Sequence, residues 1–262
     1  TAPLLIRGAE HPAVPVILDR PSGRFAALLV DEIEAMLTGT NGDHAPSRDA
    51  TAAAATGTLA RARTAPPIDV TPDTVLVFLG AVWINDALML AARDAGARGA
   101  RLVFLLYDLT PVLETGHTAA VNMLFERYLE LVIQTASAVP AISKASRRDF
   151  VRYCEQAGKA APPGEVTGLP CGIGPGQFDT ASTPWPRPYA LLVGTVEARK
   201  NHLLAFKGWQ RLIERHGPDA VPDLVCIGRL GWHADEFLEQ YVATHGLSGK
   251  VSLLSNSVSD VD

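Results

Sequence analysis

With 262 residues, 47% of them hydrophobic and 19% charged, the chain can bury one large core or two modest ones. A net charge of -5, with no basic stripe to neutralise a run of phosphates, argues against nucleic acid as a partner. Three widely spaced cysteines, Cys154, Cys171 and Cys226, form neither a disulfide framework nor a metal motif and suit a reducing, cytoplasmic setting. The apolar runs are too short to span a bilayer, and Thr1 begins no recognisable signal peptide.

In chain order, residues 14–18 read as a short strand and 24–37 carry a mixed apolar pattern. Residues 39–67 are rich in Ala, Thr, Gly, Asp and Pro and lack an apolar period, so they read as a long flexible loop, either an acceptor-side lid or plain disorder. From Thr74 onward the pattern alternates: strand 75–79, helix near 84–95, strand 101–106, helix near 119–135, strand 138–142, helix 144–157. Such alternation builds a parallel sheet covered by helices, so an α/β fold is expected. Segments dense in Gly and Pro at 158–164 and 172–188 flank a last short strand at 166–169 and read as a linker, after which Tyr189 opens a new strand series. The expected organisation is two Rossmann-like domains, 1–180 and 181–262, facing a cleft at the carboxyl ends of their strands.

The richest stretch begins at Tyr189. An apolar run through Val193 breaks at Gly194, continues through Thr195, Val196 and Glu197, and delivers Arg199, Lys200 and Asn201. Leu203, Leu204, Trp209, Leu212 and Ile213 then recur at helical spacing up to Gly217 and Pro218, which stop the helix. The two cations therefore fall where a helix begins. Free N–H groups and the positive dipole end favour an anion there and disfavour cations, so a chain that places Arg199 and Lys200 at this point offsets the cost with a bound anion, a diphosphate first among them. The alternative is a solvated basic turn. Glu197 either hydrogen-bonds a substrate or balances Arg199, and Arg229, after a second strand, is either a nucleotide contact or half of a surface ion pair.

Asp108 follows the strand 101–106 at its carboxyl end, where an aspartate commonly caps a turn. Trp83 and Trp232 are packing residues or stacking platforms for a ring. The histidines show no metal-ligand spacing, and His202, beside the cations, is expected to face solvent or to position the first helical turn. Lys144, Arg147, Arg148 and Arg152 line one helix, either as a solvated face or as a rest against an anionic membrane. Asp260 and Asp262 read as caps of a turn rather than as metal ligands.

Several of these motifs, in this order and over roughly residues 75–262, resemble retaining glycosyltransferases of family 4, which have the GT-B fold. The Gly194, Glu197, Arg199, Lys200, Asn201 run resembles the opening of their donor domain, and Gly228, Arg229, Gly231 and Trp232 resemble the end of its next strand. Tyr107, Asp108, Leu109 and Pro111 resemble a strand-end motif that commonly has His where this chain has Tyr107. Ser143 with Ser146, and Gly172 and Ile173 with Phe178, resemble two further elements. The resemblance implies a nucleotide-sugar donor bound by Gly194, Thr195, Glu197, Arg199, Lys200, Asn201 and Arg229. It further implies Asp108 near the reacting sugar, cations in place of a divalent ion, and no cofactor. The acceptor would be a surface polysaccharide or lipid-linked glycan, met in the cytoplasm with peripheral membrane contact, and mannose from a GDP donor is the first guess. Against the family pattern the chain looks truncated in its C-terminal domain and at its N-terminal edge. A nucleotide-sugar epimerase and a non-catalytic glycan-assembly module are the competing expectations.

Overall fold

A computed structural model describes residues 13–29, 31–32, 48–114, 118–169 and 185–255. The chain divides into two compact units, Thr1–Gly172 and Ile173–Asp262.

In the first unit, β1 (Val16–Asp19) and β2 (Arg24–Ala27) form an antiparallel hairpin. Its turn is closed by Asp19, whose Oδ2 accepts hydrogen bonds from the backbone N–H and hydroxyl of Ser22. Strands β3 (Val75–Phe78), β4 (Arg101–Phe104) and β5 (Ala136–Ala138) make a parallel sheet in that order. The connections are helical: α2 (Asp86–Ala97) between β3 and β4, then the short α3 (Thr110–Leu113) and α4 (Ala119–Thr135) before β5, with α5 (Lys144–Gln156) following. Each long helix starts on a side-chain cap. Asn85, Thr118 and Ser143 accept from the backbone N–H groups of Leu88, Val121 and Ser146. Leu102, Phe104, Leu129, Val132, Val139 and Phe150 are buried together, and Phe78 stacks on Phe104 with ring centroids 4.7 Å apart.

Two expectations change here. Residues 48–64, read as part of a loop, form helix α1 (Arg48–Thr64). Its alanines carry high helix propensity while writing no apolar stripe, so periodicity alone misses it. The helix is pinned to the hairpin by Arg61, which pairs with Glu32 and donates to the carbonyl of Ala27 at 2.7 Å. Of the rest of that stretch, 39–47 lie outside the described residues, and Pro67 bridges antiparallel to Ala26 of the hairpin. The strand expected at 166–169 is reduced to a parallel bridge between Ala141 and Val166. It is drawn in by the approach of Gly164, where an added Cβ would stand 2.0 Å from the carbonyl oxygen of Val139.

The second unit repeats the plan. Strands β6 (Tyr189–Val193), β7 (Asp223–Ile227) and β8 (Val251–Leu254) run parallel, with α6 (His202–His216) and α7 (Asp235–Ala243) in the connections. Its core is Val196, Phe206, Leu224, Cys226, Phe237 and Val251. Burial pushes the Cys226 thiol up to about 11, which keeps it protonated and unreactive. At the amino end of β7, buried Asp223 accepts from Trp185 (2.9 Å) and Arg187 (2.8 Å), with Lys250 3.3 Å away. Burial works against its charge, yet these three partners hold its carboxyl below the ordinary value. This tie fixes the end of the sheet opposite the loops that carry the cations. The fold is thus α/β, with a Rossmann-like parallel sheet in each unit.

Two glycines should respond oppositely to alanine. At Gly164 the new methyl would meet backbone, whereas at Gly208, within α6, nothing lies within 4 Å. In urea unfolding, Gly164→Ala is expected to cost about 2 kcal/mol or more, and Gly208→Ala to gain about 0.5–1 kcal/mol.

Candidate functional site

The loops that follow β6 and β7 lie against each other. The backbone N–H of Gly194 donates to Ile227 O, that of Val196 to Arg229 O and that of Gly231 to Val196 O, each at 2.9 Å, and the Ala198 N–H reaches Trp232 O at 3.2 Å. Glycine permits this contact. A Cβ at residue 228 would stand 1.9 Å from the carbonyl oxygen of Gly194, and one at 231 would stand 2.6 Å from Cγ2 of Thr195.

Carried on this layer, residues 198–200 form a single 3₁₀ turn ending at Asn201, which is left-handed (φ 54°, ψ 43°). Asn201 also caps α6, its Oδ1 accepting from the Leu204 N–H at 3.2 Å. Arg199 and Lys200 therefore occupy the turn just ahead of the helix rather than its first residues, with the helix's amino end immediately beyond them. Arg199 Nη2 donates to Oε1 of Glu197 at 2.8 Å, forming an ion pair within the turn. Lys200, Thr195 and Arg229 are exposed, and among the described residues Lys200 and Arg229 have no ion-pair partner. The local arrangement presents exposed cations beside a helix amino end, which is chemistry suited to an anion.

His202 does not face solvent, the first of its two expected placements. Its side chain is 2% exposed, packs 5.8 Å from the ring of Phe237, and leaves both Nδ1 and Nε2 without a hydrogen-bond partner. The reason lies in the helix: His202, Phe206, Trp209 and Ile213 fall on one stripe of α6, so the histidine begins the face that packs inward. That spacing was the signal available in the sequence. Burial lowers the imidazole pKa, only partly offset by the negative charge of Glu197, so the ring is neutral near pH 7.

Asp108 belongs to the first unit, whereas Gly194, Thr195, Glu197, Arg199, Lys200, Asn201 and Arg229 all belong to the second. Its Oδ1 accepts from the Thr110 N–H at 2.9 Å, an Asx turn that leads into α3. The neighbouring Tyr107 hydroxyl donates to Leu79 O at 2.8 Å, and Ser146 Oγ donates to Tyr107 O at 2.6 Å, so the carboxyl ends of β3 and β4 are tied to the start of α5. On α5, Lys144, Arg148 and Arg152 are exposed, but Arg147 turns inward, donating to Pro162 O at 2.8 Å and lying over Phe150. Trp232 is exposed. Among the described residues no group of three or more His, Cys, Asp or Glu side chains could hold a metal ion, and no helix is long and apolar enough to cross a membrane. Gly172, Ile173 and Phe178, and Asp260 and Asp262, lie outside the described residues.

No protein-family model matches the chain, and no curated protein matches it. Among solved structures it is similar to OtsA in its apo form, with 14% sequence identity and a TM-score of 0.45. That similarity covers 72% of this chain and 48% of the OtsA chain, so the chain spans about half the length of that protein.

Because folded His202 holds its proton less tightly than the ordinary value of 6.5, its neutral form favours the folded state above that pH. Stability is expected to fall as the pH drops below about 6.5, where the unfolded chain takes up the proton first. Urea titrations between pH 7.5 and 5, as about the useful range, should show this slope, and His202→Phe should flatten it.

Proposed function

We propose that the chain acts as a nucleotide-sugar-dependent glycosyltransferase of the retaining GT-B class. The observation that carries this reading is the exposed pair Arg199 and Lys200, set on a rigid turn between the carboxyl end of β6 and the amino end of α6. Breaking the bond between a sugar and a nucleoside diphosphate leaves negative charge on the phosphates as the transition state forms. Preorganised cations and helix-end N–H groups stabilise that charge without reorganising. In this reading Arg199 forks onto phosphate oxygens, Lys200 supplies a point charge and Arg229 adds a third, so the cations take the task that a divalent ion performs elsewhere. Glu197 keeps the Arg199 guanidinium extended toward the site until a diphosphate competes for it.

The second unit is then the donor side. Gly194, Thr195 and Asn201 contribute backbone and cap positions around the phosphates. The first unit is the acceptor side, and Asp108 is its candidate for contact with the reacting sugar. The acceptor is a surface polysaccharide or a lipid-linked glycan precursor, and the exposed Lys144, Arg148 and Arg152 suit a peripheral position at the inner face of an anionic membrane. GDP-mannose is the first donor to try.

Calorimetric titration of GDP, UDP and their sugar conjugates against the intact gene product tests the reading. One nucleotide is expected to bind selectively. The doubly substituted Arg199→Ala, Lys200→Ala protein should bind it at least about tenfold more weakly, since each charge-assisted hydrogen bond contributes about 1.5–3 kcal/mol. Absence of nucleotide binding would overturn the reading and leave a non-catalytic glycan-assembly module in its place.

A further inference from the structure

Three of the tryptophans are accounted for by packing or by a hydrogen bond. Trp83 meets Phe125 edge to face with ring centroids 5.6 Å apart, while Nε1 of Trp185 donates to Asp223 and Nε1 of Trp209 donates to Pro222 O, each at 2.9 Å. Trp232 differs. It is 62% exposed and, among the described residues, its indole has neither a ring partner nor a hydrogen bond. The backbone beneath this bare ring is nevertheless fixed. The Gly231 N–H donates to Val196 O at 2.9 Å and Trp232 O accepts from the Ala198 N–H at 3.2 Å, so the residue is tied to the turn just ahead of Arg199. Leu230, on the other side of Gly231, is exposed as well. Large apolar side chains held in water side by side are the exception to burial that calls for a partner.

We propose that Trp232 is the platform on which the nucleobase of a nucleoside diphosphate stacks while its phosphates rest on Arg199 and Lys200. The placement of the phosphates rests on the function proposed above. Two chemistries share one pair of hydrogen-bonded loops: the exposed cations Arg199, Lys200 and Arg229, and the exposed indole with Leu230. A nucleoside diphosphate carries the matching two, phosphate charge at one end and a flat π face at the other. Every base has such a face, so an aromatic platform adds affinity without needing to hydrogen-bond the base edge. A saturated sugar ring matches less well. Its hydroxyls are recognised by hydrogen bonds, and the carboxylate beside Gly231, that of Glu197, already pairs with Arg199 at 2.8 Å.

Fluorine NMR of the intact gene product labelled with fluorotryptophan tests the platform, the Trp232 signal being the one lost in Trp232→Phe. GDP, mannose 1-phosphate and inorganic pyrophosphate are titrated separately. GDP is expected to move the Trp232 signal saturably, whereas pyrophosphate should bind without moving it. By calorimetry, Trp232→Ala should weaken GDP binding on the order of tenfold and leave pyrophosphate binding unchanged, and Trp232→Phe, which keeps a ring, should retain most of the affinity. Should a variant fail to fold, the wild-type protein decides by the number of tryptophan signals that GDP moves at saturation, a motionless set overturning the platform. GDP binding with the Trp232 signal unmoved, or a response to mannose 1-phosphate in place of GDP, would overturn the platform and leave the anion reading standing. A GDP response at Trp232 with no binding of pyrophosphate would keep the platform and remove the anion reading. Absence of GDP binding would overturn both.

Discussion

The second unit depends on the contact between two strand ends. Gly194 and Gly228 leave adjacent parallel strands so closely that a single methyl group at 228 would overlap the carbonyl of 194. That approach lets the following residues pair again, through the backbone bonds of Val196 and Gly231, into a short second tier above the sheet. The turn with Arg199 and Lys200 stands on this tier, so its geometry is held by backbone packing instead of by long side chains. A site that must meet growing charge without rearranging needs such support.

Two electrostatic environments then lie back to back. On the outer side, Arg199, Lys200 and Arg229 are exposed, where their charges cost little and can steer an anion. On the inner side, one residue beyond Asn201, the His202 ring is buried against Phe237 and kept neutral by desolvation. Glu197 belongs to both, pairing with Arg199 and lining a small cavity beside His202. Because Asn201 takes the left-handed conformation, the chain reverses between them and the two environments sit a single residue apart.

Much of the architecture could be read from the residues, for physical reasons. Helices with a strong apolar stripe and a capping side chain were found nearly to their ends: α4 matches its expected span because Thr118 caps it and Phe125, Tyr128, Leu129 and Val132 face the core. What escaped lacked those signals. Helix α1 is built on alanine, which favours a helix without marking a face. Strand β5 lies two residues earlier than expected, where its pairing with β4 shifts register between Leu102 and Val103. At the candidate site the cations and glycines were legible because charge and backbone freedom are written in residue type. The separate 3₁₀ turn rests on backbone contacts between two loops, which a linear pattern does not carry, whereas the burial of His202 is written in its spacing to Phe206, Trp209 and Ile213.

Amide NMR mapping of a GDP titration on the intact protein tests the central claim that the 194–201 turn is an anion site most directly. The account predicts that the largest shifts cluster at residues 194–201 and at Gly228 and Arg229. Shifts confined to other segments, with the 194–201 amides unchanged at saturation, would contradict it.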